Sequence, residues 1–350
     1  MNSNKQLIKG NEAIAEAAIK AGCRFYAGYP ITPQNQIPEY MSWRMPEVGG
    51  TFIQAESELA AINMVLGASA AGARSMTSSS SPGISLKQEG ISYMAGMELP
   101  AVIINVQRGG PGLGNIQGSQ ADYFQSVKGG GHGDYKLIVL SPSTVQEAVD
   151  MTMESFDLAE LYRNPVLLLS DGILGQMMEP AEFKVPLKVK LPKRDWVLDG
   201  CKGRKPRQLF SLMMAPGVLE KHNYYLQEKY RKIEKELVRS ESYLLVDAEV
   251  LIIANGIMGR ISKGAANILR KQGIKCGVLR PVTLWPFPYE TIRKEAKKVK
   301  KILVTEQNMG QMVEDVRLAV ADDSKVSFFG KPGGGCQTQE EIAVKVMELL

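Results

Sequence analysis

The chain has 350 residues, of which 44% are apolar and 23% charged, a balance typical of a globular protein large enough for two domains. No run of 18 or more apolar residues occurs, which excludes a conventional membrane-spanning helix, and the first residues show no signal-peptide pattern, so we expect a cytoplasmic protein. The net charge is +5, and no recognisable nucleic-acid-binding module accompanies it, which disfavours nucleic acid as a partner.

Residues 1 to about 180 alternate short apolar runs with helical patterns. Continuous apolar strands separated by helices indicate a parallel sheet that is covered on both faces. The predicted strands are 24–30, 51–55, 75–80, 101–107, 136–142 and 165–171, and the predicted helices lie near 11–21, 34–43, 57–72, 83–97 and 143–161.

A basic connector, residues 184–207, follows this block and holds nine basic and two acidic residues. Its composition fits either a solvated linker or a docking patch for an acidic partner, and the sequence leaves both open. A polar helix with charges at i,i+4 spacing is predicted at 219–240, and a second alternation of strands and helices begins near Val246.

These patterns predict an α/β protein with two doubly wound parallel-sheet domains. We place the first domain at residues 1–183, a basic linker and connecting helix at 184–243, and a second, smaller domain at 244–350.

The four cysteines stand alone in the sequence, at Cys23, Cys201, Cys276 and Cys336. No two of them form a CxxC pair, and the chain has only two histidines. We therefore expect no iron–sulfur cluster and no other metal site held by this chain alone.

Glu58 is a first candidate for a functional residue, because it lies in the first turn of a predicted helix that is rich in alanine and glycine. A carboxylate at such a place is commonly a capping or dipole-compensating group. The small residues would also let a flat ligand approach closely, so a carboxylate that faces a ligand is the alternative.

Thr32 and Arg108 are further candidates. Pro30 and Pro33 flank Thr32 and fix the place of its hydroxyl, although a plain turn would explain the pattern as well. Arg108 ends the apolar run 101–107, and the carboxyl ends of parallel strands border the usual ligand crevice. Its guanidinium could clamp a carboxylate there, with a surface salt bridge as the alternative.

Two polar loops follow predicted strands. The stretch "TSSSSPGIS", residues 77–85, offers hydroxyls and helix-end N–H groups to a ligand, or else forms a capping turn. The glycines between residues 109 and 118 lack the G-x-G-x-x-G spacing, so a dinucleotide site is not predicted there.

The order of these motifs is more specific than any one of them. "YPITP", then "ESELAA", the serine–glycine turn and "VQRGG" together resemble the α subunit of 2-oxoacid:ferredoxin oxidoreductases, which depend on thiamine diphosphate. The resemblance covers almost the whole chain and implies a pyrimidine-binding domain followed by a transketolase C-terminal-like domain, to which "VLIIANG", "RPVTLWPFP" and "VTEQNMGQMVEDVR" are similar. The stretches "TSSSSPGIS" and "GLGNIQGSQADYFQSVKGGGHGDY" favour the branched-chain, 2-oxoisovalerate type.

The resemblance implies a role for each candidate residue. Glu58 matches the catalytic glutamate that hydrogen-bonds the aminopyrimidine ring of thiamine diphosphate. Pro30 belongs to the turn on the cofactor side, and Thr32 matches the substrate-facing threonine of that turn. Arg108 matches the arginine beside the substrate carboxylate and keto oxygen, where a fixed cation assists catalysis.

The resemblance also implies that the cofactor site is shared with a partner. A GDG motif with a downstream asparagine would hold Mg²⁺ and the diphosphate, and the nearest match here, "SDGILG" at 170–175, is followed by no suitable asparagine. We therefore expect a β subunit to carry the diphosphate–Mg²⁺ site and ferredoxin-like γ and δ subunits to carry iron–sulfur clusters.

The predicted reaction, typical of anaerobic metabolism, converts a 2-oxoacid and coenzyme A to an acyl-CoA and CO₂ and passes electrons to ferredoxin. The branched-chain substrate 3-methyl-2-oxobutanoate is favoured, with a 2-oxoglutarate or pyruvate enzyme of the same family as the alternative. Another thiamine-diphosphate assembly and a non-catalytic α/β scaffold are also open. A scaffold would leave Glu58, Thr32 and Arg108 apart in space, so the structure discriminates.

Overall fold

Strands and helices alternate along most of the chain, and the computed structural model describes residues 5–184 and 190–350. In this part of the chain the strands are β1 Gln6–Lys9, β2 Phe25–Gly28, β3 Thr51–Gln54, β4 Ser75–Ser79, β5 Val102–Gln107, β6 Ile138–Leu140, β7 Val166–Asp171, β8 Met178–Ala181, β9 Ser240–Tyr243, β10 Val250–Ile253, β11 Cys276–Pro281, β12 Thr283–Trp285, β13 Lys301–Glu306 and β14 Val326–Gly330. The α-helices are α1 Gly10–Lys20, α2 Gln36–Glu47, α3 Glu58–Ala70, α4 Pro82–Gly96, α5 Tyr123–Val127, α6 Val145–Tyr162, α7 Gly172–Gln176, α8 Val218–Leu237, α9 Gly256–Lys271, α10 Tyr289–Ala296, α11 Met312–Ala319 and α12 Gln339–Met347.

The first sheet contains the six strands that the apolar runs predict. They pair in parallel in the order β6-β7-β5-β4-β2-β3. Every residue of β4, β5 and β7 is buried, because helices cover both faces of the sheet, as continuous apolar strands require. The carboxyl ends of β2, β4 and β5 consequently lie side by side at one edge.

The second sheet has the order β14-β13-β10-β11-β9. Its pairs are parallel except for β9, which runs antiparallel to β11. The predicted α/β class with two parallel-dominated sheets is therefore confirmed.

Two strands differ from the domain limits expected from the sequence. Strand β9 begins at Ser240, before the expected start of the second domain, and still pairs in the second sheet. Strand β12 belongs by sequence to the second half but pairs antiparallel with β6 at the edge of the first sheet. The consecutive strands β11 and β12 therefore belong to different sheets. The domain limits stay a prediction.

Buried polar contacts fasten the two halves together. The side chain of Arg280, on β11, is only 1% exposed. It donates hydrogen bonds to Glu241 in its own sheet and to Glu147 at the start of α6 in the other half. Since a buried guanidinium is tolerated only when it is paired, these contacts fix how the halves meet.

The connector is partly described. Residues 185–189 of the predicted basic segment lie outside the described residues. Beyond them, Trp196 is 4% exposed and Arg194 forms an ion pair with Glu160 of α6. Arg204 and Arg207 both pair with Asp199. Arg194 and Trp196 thus anchor the segment to the first domain, while most of its other described residues are exposed, and docking of a partner stays open.

Among the described helices, none combines the length and apolar character that crossing a lipid bilayer requires.

Candidate functional site

The candidate site lies at the edge of the first sheet where β2, β4 and β5 end. Each strand runs directly into a loop that carries a residue predicted from the sequence or a neighbour of one. Because parallel strands end on the same edge, loops that are far apart in sequence meet there.

Arg108 and Thr32 are in direct contact at this edge. The Nη1 atom of Arg108 donates a hydrogen bond of 2.9 Å to the main-chain oxygen of Thr32, and Nη2 donates one of 2.9 Å to the main-chain oxygen of Leu113. Arg108 is 8% exposed, and its buried Nε has no hydrogen-bond partner in the described part of the chain. Two of the five N–H groups of this cation are used in these contacts, and the Nε–H is among those left for a ligand or a partner.

The turn after β4 holds the main chain of Arg108 in place by hydrogen bonds. The hydroxyl of Ser81 accepts a hydrogen bond of 3.0 Å from the main-chain N–H of Arg108 and donates one of 2.6 Å to Asp122. Asn105 donates to the same Asp122 oxygen at 2.9 Å. Burial raises the pKa of the Asp122 carboxyl, and these donors oppose the rise.

Ser81 has a φ of 22°, a conformation that residues other than glycine seldom adopt. Such strain persists where the surrounding contacts hold it, and it is frequent at functional sites. Next to it, the hydroxyls of Ser79 and Ser80 are buried and have no hydrogen-bond partner in the described part of the chain. The turn therefore presents two uncommitted hydroxyls beside a rigidly held serine.

Glu58 reaches the same turn from α3. It is the first residue of that helix and is 6% exposed, while the helix is capped by Ser57, whose hydroxyl accepts a 3.2 Å hydrogen bond from the N–H of Ala60. Capping is thus done by Ser57 and not by Glu58. A Cβ atom built on Gly83 would lie 2.5 Å from Oε1 of Glu58, so the carboxylate occupies the space that glycine leaves empty.

The carboxylate of Glu58 makes no hydrogen bond within the described part of the chain. A carboxylate that makes no hydrogen bond to the described protein atoms is available to a ligand or a partner. A nearby cation exists, since Glu58 acts electrostatically on the buried ammonium of Lys87.

The sequence-predicted residues therefore gather at one place, with different degrees of exposure. Arg108 touches Thr32, and the 79–83 turn touches both Arg108 and Glu58. Pro30, in the same loop as Thr32, is exposed. The hydroxyl of Thr32 accepts a 3.2 Å hydrogen bond from Asn35.

Several apolar side chains are exposed on the segments that form the site. They are Tyr29, Leu59, Leu86, Leu113 and Ile116, each at least 39% exposed. Their residues neighbour the site residues in sequence, so apolar surface is exposed on the segments that form the site.

Sequence reasoning missed four parts of this arrangement: Ser81 as a support, Asn105, Asp122 and the buried Lys87. A polar residue inside an apolar strand, as at Asn105, was the available signal. Lys87 carried none, because a lysine on a helix is most often exposed.

The near match to a GDG motif has a structural use. Asp171 is the N-cap of α7, and its Oδ1 accepts hydrogen bonds from the N–H groups of Ile173 and Leu174 at 2.9 and 3.0 Å. Burial raises the pKa of its carboxyl to about 6. Within the described residues no cluster of three or more histidine, cysteine or acidic side chains could hold a metal ion.

Comparison with known protein families gives two matches that together cover most of the chain. Residues 16–236 match the model of the thiamine diphosphate-binding part of pyruvate flavodoxin/ferredoxin oxidoreductases, and residues 248–342 match core domain II of pyruvate:ferredoxin oxidoreductase.

Similar proteins have related names. The ketoisovalerate oxidoreductase subunit VorB of Methanothermobacter marburgensis is 48% identical, over 98% of this chain and 97% of its own length. The 2-oxoglutarate synthase subunit KorA of Methanothermobacter thermautotrophicus is 37% identical, over 99% of both chains.

Two solved structures extend the comparison. A 2-oxoglutarate:ferredoxin oxidoreductase from Magnetococcus marinus, with 2-oxoglutarate, coenzyme A and succinyl-CoA bound, has a TM-score of 0.87 and 29% identity. That match covers 99% of this chain, which spans 65% of the solved one. A split-gene transketolase in an inactive β4 tetramer has a TM-score of 0.60 and 16% identity, with 98% of each chain covered, and shows a shared fold alone.

The fold is thus the two-sheet α/β fold of transketolase-like proteins, with a thiamine diphosphate-binding domain at its start. More narrowly, the chain belongs to the pyruvate flavodoxin/ferredoxin oxidoreductase family and is a subunit of a 2-oxoacid:ferredoxin oxidoreductase. The resemblance found in the motifs, including the likeness to the branched-chain type, is confirmed.

Proposed function

We propose that this chain is the α-type catalytic subunit of an enzyme that oxidatively decarboxylates a branched-chain 2-oxoacid, with 3-methyl-2-oxobutanoate as the preferred substrate. The 2-oxoacid and coenzyme A become an acyl-CoA and CO₂, and the two electrons released reduce ferredoxin. The observation that carries the substrate class is the 48% identity, over 98% of the chain, to a ketoisovalerate oxidoreductase subunit.

The residues of the site fit the aminopyrimidine half of thiamine diphosphate. Glu58 offers a carboxylate with no hydrogen bond in the described part of the chain, and Ser79 and Ser80 offer buried hydroxyls without partners. When bound, the cofactor supplies the nucleophilic carbon that attacks the keto group and retains the electrons left when CO₂ departs. Glu58 would hold a proton against a ring nitrogen of the cofactor, on the side that Pro30 also borders, and would thereby favour the reactive tautomer.

Arg108 and Thr32 fit the substrate. The free Nε–H of Arg108 can donate to the carboxylate or keto oxygen of a 2-oxoacid, while its two other nitrogen atoms hold the arginine to Thr32 and Leu113. A cation that is fixed before the substrate arrives stabilises negative charge without reorganising during the reaction. The hydroxyl of Thr32, in the loop after β2 that Arg108 contacts, would be a second polar group for the substrate.

A partner β subunit is proposed to hold the diphosphate and Mg²⁺. Two observations support this division. Asp171, in the near match to the expected motif, is occupied by the N–H groups of α7. Exposed apolar side chains such as Leu59 and Leu113 lie on the segments that form the site, and a partner would cover them. Iron–sulfur clusters are proposed to lie on ferredoxin-like γ and δ subunits, and the assembly to lie in the cytoplasm.

A 2-oxoglutarate-converting enzyme is the second candidate. It is favoured by the 37% identity to a 2-oxoglutarate synthase subunit and by the TM-score of 0.87 to a 2-oxoglutarate:ferredoxin oxidoreductase. The lower identity places it behind the branched-chain enzyme.

The test is co-expression of this chain with the products of its neighbouring genes, followed by assay of the purified complex. A panel of branched-chain 2-oxoacids, pyruvate and 2-oxoglutarate would be supplied with coenzyme A and a viologen dye as electron acceptor. We expect the highest kcat/KM with 3-methyl-2-oxobutanoate. A preference for 2-oxoglutarate would replace the first candidate by the second, and an inactive complex of full composition would contradict both.

A further inference from the structure

Lys87 is a fully buried lysine in the same layer of the molecule as the candidate site. Its side chain is 0% exposed, and its Nζ donates a hydrogen bond of 2.9 Å to the hydroxyl of Thr77 on β4. Fully buried lysines are rare unless a counter-charge lies close.

The packing of α3 on α4 brings Lys87 towards Glu58. Gly83 of α4 faces Glu58, and a Cβ built on Gly90 would lie 2.7 Å from a methyl carbon of Ile62, one turn beyond Glu58 on α3. Lys87 is four residues after Gly83 and three before Gly90, so all three share the face of α4 that packs on α3. The helix register therefore places the lysine between these two contacts.

Strand β4, on which α3 and α4 pack, presents hydroxyl groups and no charged side chain to Lys87. Ser75 and Ser79 lie two residues on either side of Thr77 and point to the same face of the sheet; Ser75 bonds to the main-chain oxygen of Val65 on α3, and Ser79 faces Gly83. Of the charged groups on the elements packed against Lys87, the carboxylate of Glu58 is the one that acts on it. The two do not form a direct ion pair, because the ammonium bonds to Thr77 and the carboxylate lies against Gly83.

Burial lowers the pKa of Lys87 to about 7, and the negative charge of Glu58 opposes that change. The lysine therefore changes charge near neutral pH, and the neighbouring carboxylate is the one proposed to exchange a proton with the cofactor.

We propose that Lys87 is a positioning residue whose buried ammonium is the counter-charge of Glu58 and keeps that carboxylate directed at the site. The lysine acts through Glu58 and does not itself touch the reactants. As far as catalysis is concerned, this inference rests on the proposed function. The charge coupling between the two side chains does not, and it can be measured on the chain alone.

The first experiment is a double-mutant cycle in the full chain without cofactor. Denaturant unfolding of the wild type, Lys87→Met, Glu58→Gln and the double variant would be followed at pH 6 and at pH 9. At pH 6 each single variant leaves one charge without its counter-charge. We therefore expect the denaturant midpoint of the double variant to fall by no more than half of the sum of the two single-variant falls. At pH 9 the lysine is neutral, and we expect the shifts to be additive.

Met at position 87 keeps the length and apolar stem of lysine, so the variant removes the charge without opening a large cavity. The matched control is Lys229→Met. Lys229 is a partly buried lysine on α8, paired with Glu98 at 3.2 Å and remote in sequence from the site. We expect this variant to show additive shifts with Glu58→Gln at both pH values. Additive shifts for Lys87→Met at pH 6, or a coupling that is equal at both pH values, would overturn the inference.

The second experiment measures the pH profile of kcat in the reconstituted complex. Lys87 loses its charge around pH 7, so a limb of the kcat profile near that pH should be displaced in Lys87→Met, where residue 87 no longer titrates. Lys229→Met should leave the profile in place, and an unmoved limb in Lys87→Met would exclude the positioning role.

The failures of the two proposals are distinguishable. A Glu58→Gln complex with near wild-type turnover would remove Glu58 from the mechanism and contradict the proposed function, whatever the cycle shows. An inactive Glu58→Gln complex, together with an absent coupling in the cycle, would contradict the role of Lys87 alone.

Discussion

Arg108 and Thr32 are 76 residues apart in sequence, and the guanidinium of one donates a 2.9 Å hydrogen bond to the main-chain oxygen of the other. The contact joins the loop after β2 to the end of β5, across the end of β4, which lies between those strands in the sheet. A long side chain with several donors is needed to span this distance and still offer an N–H group to a ligand. Lysine, with a single nitrogen atom, cannot do both in fixed geometry.

The first prediction concerns this arginine. Arg108→Met in the reconstituted complex should lower kcat/KM for the 2-oxoacid on the order of 10²-fold, because a fixed donor to the substrate is lost. Arg108→Lys should retain only part of the activity, since the charge remains but the forked geometry does not. Steady-state kinetics with varied 2-oxoacid gives the ratio. Arg293→Met, on the exposed face of α10, is the control, and an equal loss there would point to general damage.

The second prediction concerns Glu58. Glu58→Gln keeps the shape of the side chain but cannot exchange a proton, so kcat of the complex should fall on the order of 10²-fold or more. Glu56→Gln is a close control, because Glu56 is exposed and lies two residues earlier; its kcat should stay near wild type. Equal rates for Glu58→Gln and wild type would show that the carboxylate is not required.

The third prediction uses Gly83 to displace Glu58 and Ser79 without changing the chemistry of either side chain. A Cβ on residue 83 would lie 2.1 Å from the hydroxyl oxygen of Ser79 and 2.5 Å from Oε1 of Glu58, so Gly83→Ala must push both side chains aside. We expect a loss of kcat of more than tenfold, since small misplacements of catalytic groups are costly. Gly67→Ala, on α3 with no atom within 4 Å of the new Cβ, should be neutral in activity and slightly stabilising. Full activity in Gly83→Ala would show that the position of Glu58 is not critical.

Much of the fold could be predicted from the sequence because its signals are local. Apolar runs such as 101–107 and 165–171 became β5 and β7, and the small-residue helix after Glu58 became α3. These elements are specified by hydrophobic period and by caps such as Ser57, both of which can be read within a few residues.

The features that could not be predicted depend on contacts between distant residues. Strand β12 is three residues long and pairs with β6 of the other half, and β1 pairs with β8 about 170 residues later. Neither pairing leaves a local pattern, because tertiary context decides it. The burial of Lys87 is equally non-local, since it follows from the packing of α3 on α4.

For the site, the motif order located Glu58, Thr32 and Arg108, but not the network that holds them. The role of Ser81 depends on a φ of 22° and on contacts with Arg108 and Asp122. A backbone conformation of that kind arises from the folded surroundings and has no signature in a run of four serines.

The fourth prediction concerns the division of the cofactor site. The purified chain alone should show no 2-oxoacid oxidation with coenzyme A and a viologen dye, because the diphosphate half and the iron–sulfur clusters are proposed to lie on partners. It should also be colourless, and adding the partner subunits should restore turnover. Robust activity of the single chain, or a cluster absorbance band in it, would contradict the proposed division.

The fifth prediction concerns pH and Asp171. Burial raises the pKa of this carboxyl from 3.8 to about 6, so between these values the folded chain binds more protons than the unfolded chain. Stability attributable to this group must therefore fall as pH rises from 4 towards 6. Asp171→Asn keeps a capping side chain but does not titrate. Its free energy of unfolding, relative to the wild type, should rise by up to about 3 kcal/mol between pH 4 and pH 7.

Denaturant unfolding of both proteins across that pH range measures this difference. Asp134→Asn, in an exposed loop, serves as the control and should follow the wild type in parallel. A difference between Asp171→Asn and the wild type that stays constant with pH would mean that the carboxyl of Asp171 ionises in the folded chain as it does in the unfolded one. The three N–H groups of α7 and α9 around it would then fully offset the cost of its burial.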